Sequence, residues 1–270
     1  MRAGVALAGL VAASAACLGT TGGGLVTFNA YASGPADSTS PLVFETPQGF
    51  HVELRTVTMH IGAVYLTTTP ENQSSLNTSC IEPGQYVGEV PGGVDVNLLS
   101  AAPQPFSVQG DGSVDVARTG EIWLTGGDIN AATDATKVVI LQGTAARGGA
   151  SWPFDATVTI SANRTKPAGD PSQPGLNPIC KRRIVQVSPI VTPVAAGSSL
   201  YVRIDPRGWF NSVDLSTLDI VSASPPLYEI PDTDTSGTPG EAAGRNFFTG
   251  ILTGVLPSGQ SAYSFTFQSP

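Results

Sequence analysis

Along much of this chain apolar and polar residues alternate one for one in short runs. Val26, Phe28 and Ala30 alternate with Thr27, Asn29 and Tyr31, Leu200, Val202 and Ile204 with Tyr201, Arg203 and Asp205, and Tyr263, Phe265 and Phe267 with Ser264, Thr266 and Gln268. A period of two with one polar face is the pattern of a half-buried antiparallel strand. Further strand-like runs cover 42–45, 50–66, 94–99, 113–116, 120–125, 137–142, 154–162, 184–191 and 247–255. With 31 glycines and 22 prolines in 270 residues, long helices are disfavoured, and one short helical turn is expected at Asp214–Leu218. Gln109-Gly110-Asp111-Gly112 and Leu256-Pro257-Ser258-Gly259 read as turns, the second a hairpin turn before the last strand.

Regularly spaced strands with turn signals predict an all-β fold, an antiparallel, Greek-key-like β-sandwich. Within 50–66 the apolar phase slips at Arg55-Thr56: Phe50, Val52 and Leu54 share one parity, and Val57, Met59 and Ile61 the other. A bulge, or a bent strand crossing between sheets, accounts for the slip. A 41% hydrophobic content is enough for a sizeable core. The Pro/Gly/Ser-rich stretch 165–178 marks a candidate internal boundary near 165–180, so 25–270 reads as one elaborated domain or two closely packed halves.

The first residues are Met1-Arg2, an apolar stretch from Ala3 to about Ala13, Ser14-Ala15-Ala16 and Cys17, followed by Leu18-Gly19-Thr20-Thr21-Gly22-Gly23-Gly24. This resembles a bacterial lipoprotein signal, with Ser14 where the family usually has leucine. The resemblance implies that residues 1–16 are removed and that Cys17 becomes a lipid-bearing first residue. Residues 17–24 would then be a flexible tether on an outer-membrane lipoprotein facing periplasm or surface. Cleavage after Ala13-Ser14-Ala15 would instead give a soluble secreted protein. Assigning Cys17 to lipid leaves Cys80 and Cys180 from an odd count of three. In an oxidising compartment these two form a disulfide, worth on the order of 4 to 5 kcal/mol for a loop of this size; two buried free thiols are the alternative. The formal charge of −8 disfavours nucleic-acid and direct electrostatic membrane binding, and Lys181-Arg182-Arg183 reads as a solvated strand edge.

Candidate sites are few. Asp232-Thr233-Asp234-Thr235-Ser236-Gly237 resembles the first half of an EF-hand or dockerin-type calcium loop. The resemblance implies a Ca2+ site with oxygens from Asp232, Asp234 and Ser236 and the Thr238 carbonyl. Glu241 stands two positions early for the closing carboxylate, and Ala243 occupies the twelfth position. A solvated turn is the other reading. The stretch from Thr46-Pro47-Gln48-Gly49-Phe50-His51 to Ile61-Gly62-Ala63-Val64-Tyr65-Leu66 is similar to the opening strands of MbnP-like periplasmic copper proteins, which implies copper ligation by His51, Met59 and His60. By alternation alone the two histidines are exposed polar strand residues.

There is no G-x-S-x-G elbow, H-E-x-x-H pair or phosphate-binding Gly-Lys-Ser/Thr loop. Carboxylate pairs such as Glu45 with Glu53, or Asp232 with Asp234, remain as acid and base candidates. Trp123 and Trp152 read as core; Trp209, at a strand end, reads as packed or as an exposed stacking ring. The chain is thus expected to be a non-catalytic, lipid-anchored envelope module for binding, adhesion or scaffolding with a protein or glycan partner. A secreted, carboxylate-dependent glycan hydrolase and a periplasmic copper protein are the alternatives. Intact mass of the membrane-extracted protein checks the anchor: a chain starting at Cys17 with a diacyl or triacyl increment is expected, and an unlipidated chain starting at Ala16 overturns it. Comparing the spectra with and without reduction reads the Cys80–Cys180 bridge.

Overall fold

A computed structural model describes residues 24–68, 86–127, 129, 134–160, 183–185, 188–233 and 236–269. Cys17, Cys80, Cys180, Asp234 and the candidate boundary near 165–180 lie outside the described residues. The strands are β1 (Leu25–Ser33), β2 (Leu42–Glu45), β3 (His51–Ile61), β4 (Ala63–Thr67), β5 (Tyr86–Val90), β6 (Val94–Asn97), β7 (Gln104–Pro105) and β8 (Gly110–Ser113). They continue with β9 (Val116–Trp123), β10 (Lys137–Arg147), β11 (Ala150–Thr159), β12 (Ser188–Pro193) and β13 (Ser199–Ile204). After these come β14 (Asp219–Ala223), β15 (Pro226–Glu229), helix α1 (Pro239–Thr253) and β16 (Tyr263–Gln268).

These strands form an all-β sandwich of two sheets. The first runs β12-β9-β4-β5-β8-β1-β13-β16 with β7 on β1, and the second runs β14-β15-β11-β10-β3-β2 with β6 on β3. Pairing is antiparallel except at β1 with β13 and β11 with β15, which are parallel and make both sheets mixed. In the first sheet the end strands β12 and β16 pack against one another, so the sheet curls on itself.

The phase slip read from 50–66 has two physical causes. Across β3 and β10, Thr56 faces Gln142 and Leu54 faces Gly143, which leaves Arg55 as the extra residue of a bulge. The chain then passes at Gly62 from the second sheet into the first, where β4 pairs with β5 and β9. A Cβ at Gly62 would stand 2.1 Å from the Thr125 carbonyl oxygen, so only glycine fits at this crossing. One buried cluster runs from Val26 through Val52, Leu54, Phe154 and Val202 to Phe265 and fills the space between the sheets.

Two local expectations are corrected. Gly110 and Gly112 lie inside β8; a Cβ would come 2.3 Å from the Phe28 ring at Gly110 and 2.5 Å from the Val87 carbonyl oxygen at Gly112, so each glycine admits a close neighbour from an adjacent strand. The run 247–255 belongs mostly to α1. The helix starts at a reciprocal capping box: Glu241 N–H donates to Thr238 Oγ1, and Thr238 N–H donates to the Glu241 carboxylate. Gly240, Ala243, Gly244, Phe247, Phe248 and Ile251 form its buried stripe. The expected short turn is a 3-10 turn at Leu215–Thr217 capped by Asp214, and the turn at 256–259 closes with Gly259 at φ 82°.

The helical glycines are sites of close approach. A Cβ at Gly244 would lie 2.1 Å from the Pro231 carbonyl oxygen, and one at Gly250 would lie 2.2 Å from that of Trp209. Alanine gains about 1 kcal/mol over glycine in helix propensity, whereas overpacking against fixed backbone costs about 1 to 3 kcal/mol. Gly250→Ala is therefore expected to destabilise the protein by up to about 2 kcal/mol net in urea unfolding. A stabilised G250A would show that α1 can move off the turn that carries Trp209.

Candidate functional site

At the end of β13 the chain turns through Asp205 into a 3-10 turn, Pro206–Phe210. Asp205 caps this turn by accepting from the Arg207 N–H at 3.1 Å, with proline in its first positions. The cap brings the Arg207 side chain back over the same carboxylate. Arg207 Nε donates to Asp205 Oδ1 at 2.8 Å and Nη2 to Oδ2 at 2.6 Å. Its outer edge makes two parallel bonds of 2.8 Å to Asp37, 170 residues away in sequence. Two carboxylates on one guanidinium leave the triad one charge negative.

The triad lines a cleft of about 780 Å³. Its other walls come from Pro35 and Ala36, from Pro189 of β12, from the end of α1 with Val255 and Leu256, and from Arg203 and Ser264 on β13 and β16. A smaller hollow of about 250 Å³ shares Asp205 and Arg207 and adds Phe44, Glu45 and Asn211. The cleft thus opens where the curled sheet brings its two end strands together. Its floor is Tyr263: Trp209 Nε1 donates to Tyr263 Oη at 3.0 Å, and that hydroxyl donates to the Ile251 carbonyl. Burial pushes the Tyr263 phenol well above its usual range.

The bonds from Arg207 hold the Asp37 carboxyl below the ordinary aspartate value, and the bonds to Asp205 and then Asp37 push Arg207 up. Both Asp37 and Asp205 accept hydrogen bonds from Arg207.

A second polar cluster lies on the outer face of the first sheet. The pairing sets Glu121, Tyr65, Glu89 and Asp111 side by side across β9, β4, β5 and β8. Burial, then the Asp111 charge, pushes the Glu89 carboxyl up; burial, then Glu89 and Glu121, pushes the Tyr65 phenol up. Trp123 packs over Tyr65 with ring centroids 4.2 Å apart, and Tyr86 meets it edge-on at 5.2 Å. Sequence reading missed this row because it found no strand at 86–90, although each of its members is a polar residue flanked by apolar neighbours.

The sequence-derived candidates disperse. His51 meets Glu45 at 2.7 Å and Glu53 at 3.8 Å, joining the Glu45 and Glu53 pair in one exposed group, while His60 meets Asp95 at 2.7 Å. The two histidines stand nine residues apart on β3, about 30 Å along an extended strand. Met59 is fully buried in the core. His51, Met59 and His60 are therefore not brought together as a copper set. In the Asp-rich loop, Asp232 Oδ2 accepts from the Thr159 N–H at 2.9 Å and its hydroxyl at 2.6 Å. Thr238 and Glu241 cap α1, and Ser236 is exposed. Among the described residues no group of three or more His, Cys, Asp or Glu side chains could hold a metal ion.

Trp209 is fully buried and offers no exposed ring, and Arg183, read as part of a solvated edge, is buried with Nη1 donating to the Ile129 carbonyl at 2.8 Å. Among the described residues no helix is long and apolar enough to cross a membrane. No family model, no curated protein and no solved structure matches this chain.

The triad carries a pH dependence. A carboxyl held below its ordinary value stabilises the fold above the unfolded-state value, here 3.8, and that stabilisation is lost as pH falls through the lower folded value. Asp37→Asn removes it at every pH. Asp37 is largely exposed, so the effect is screened by solvent. D37N is expected to melt below the wild type at neutral pH, with the two melting curves converging below about pH 3.8; a gap that persists or widens there would show that Asp37 acts otherwise.

Proposed function

We propose that this chain is a lipid-anchored envelope protein that binds a small ligand in the cleft beside Arg207 without transforming it. The observation that carries the reading is the Asp37–Arg207–Asp205 triad, which lines a cleft of about 780 Å³ with fixed and mutually bonded charges. Such a site orients a ligand and offers no carboxyl poised to exchange a proton. The lipoprotein-like start with Cys17, followed by a Gly- and Thr-rich tether, supports the placement on a membrane.

A second reading rests on Glu89. Its carboxyl, raised by burial and the Asp111 charge, faces Asp111 directly across β5 and β8 with Tyr65 beside it, and a glycan hydrolase uses a pair of carboxyls as acid and base. On that reading Glu89 is the protonated partner and Asp111 the ionised one.

Two variants separate the readings. Cys17→Ala is expected to move the chain from the membrane fraction to the soluble one with an unchanged melting temperature; a variant that stays on the membrane overturns the anchor. Incubation with an oligosaccharide panel is expected to leave every glycan intact. Turnover that Glu89→Gln abolishes would replace the binding reading with the hydrolase.

A further inference from the structure

Arg203 is a cation in the cleft wall with no partner among the described residues, its guanidinium making no hydrogen bond or ion pair with them. Arg203 lies on β13 and Asp205 follows directly after the strand's last residue, Ile204, about 7 Å further along the extended chain. The cleft therefore has two poles, a free positive one at Arg203 and a negative one at the triad. At the negative pole Asp205 is buried and consumed by Arg207, while the Asp37 side chain is 65% exposed and keeps lone pairs facing solvent. The other charged group lining the cleft is Arg207, already bonded on both edges.

A third element favours a cation near the triad. The C-terminal turn of α1 reaches the cleft through Leu252 and Thr253 and carries no basic residue, so the negative end of its dipole is not offset by a side chain. Between the poles the walls are apolar or hydroxylic, from Pro35, Pro189, Val255, Leu256, Ser261 and Ser264. The lining has one aromatic residue, Tyr263, and its ring is buried, so no stacking platform for a sugar is present in this wall.

Resting on the binding reading above, we propose that the ligand is a short apolar peptide with free termini. Its carboxylate sits on Arg203, its ammonium on the exposed side of Asp37, and its side chains lie on the proline and aliphatic walls. A simple anion would be repelled by the triad, and a simple cation by Arg203. A zwitterion with its two charges on separate ends matches both. The cleft volume of about 780 Å³ leaves room for two residues with side chains.

Titration calorimetry on the detergent-solubilised full chain tests this with three probes: Leu-Leu, its N-acetyl form and its C-terminal amide. Leu-Leu is expected to bind tightest, and each blocked form to lose about tenfold, the worth of one charge-assisted contact. Arg203→Gln should abolish the preference for acid over amide without lowering the melting temperature, because Arg203 has no partner to lose. Asp37→Asn should abolish the preference for amine over acetyl. Equal affinity for the three probes, no binding of Leu-Leu up to about 10 mM, or discrimination that survives R203Q would overturn the assignment. Mass spectrometry of the recovered Leu-Leu keeps the two proposals apart: cleavage to leucine with discrimination intact would sink the non-catalytic reading and leave the recognition of both termini standing.

Discussion

The hydrogen-bonded chain from Trp209 through Tyr263 to the Ile251 carbonyl organises the C-terminal third of this protein. Trp209 is fully buried, and an indole N–H taken out of water costs free energy unless it finds an acceptor. Tyr263, the first residue of β16, supplies that acceptor, and its own hydroxyl proton goes to the last part of α1. One relay thus joins the 3-10 turn after β13, the helix and the final strand. Close backbone contact reinforces it, because Gly250 lets α1 approach Trp209 within a distance that no side chain would permit. Phe210 and Phe247 then meet at 5.2 Å and carry the packing into the main core.

The position of the cleft follows from this docking. With α1 and β16 held against the Trp209 turn, the chain leaving the helix must cross above Tyr263, and residues 254–260 form a wall. The curl of the first sheet brings Pro189 of β12 to the opposite side. Arg207 belongs to the same turn as Trp209, so the burial that anchors the tryptophan also fixes the guanidinium. Asp205 holds it from the strand side and Asp37 from the loop after β1. The electrostatics of the cleft are therefore preorganised by structure that exists for packing reasons.

Period-two alternation marked β1, β13 and β16 because each presents one face to the core and one to water, and the parity slip in 50–66 located the Arg55 bulge. These are local consequences of strand geometry. The helix was missed for an equally physical reason. Its buried stripe uses Gly240 and Gly244 alongside Ala243, Phe247 and Ile251, and glycine counts as a breaker unless a close partner is known. The partners are the Pro231 backbone at Gly244 and Asp219 with Thr217 at Gly240, which only folding brings near. Gly110 and Gly112 read as a turn on the same grounds, since the Phe28 ring against Gly110 and the Val87 backbone against Gly112 arrive from other strands. At the site, Arg203 and Asp205 read as polar members of a strand and Arg207 carries no sequence signal, because nothing in that stretch shows which guanidinium is already bonded.

By itself the sequence determined the class: an acidic chain of many short alternating strands has enough apolar surface for a sandwich and too many glycines and prolines for a helical fold. It also carried the Asp205-Pro206 cap and the Thr238/Glu241 capping box, because these interactions span only a few residues. The tertiary structure alone decided which charges are free. Asp37 reaches Arg207 across 170 residues, His60 is taken by Asp95, and Arg203, which lines the cleft, has no partner among the described residues. Electrostatic pairing depends on separations of a few ångströms between distant parts of the chain, and only the fold sets those.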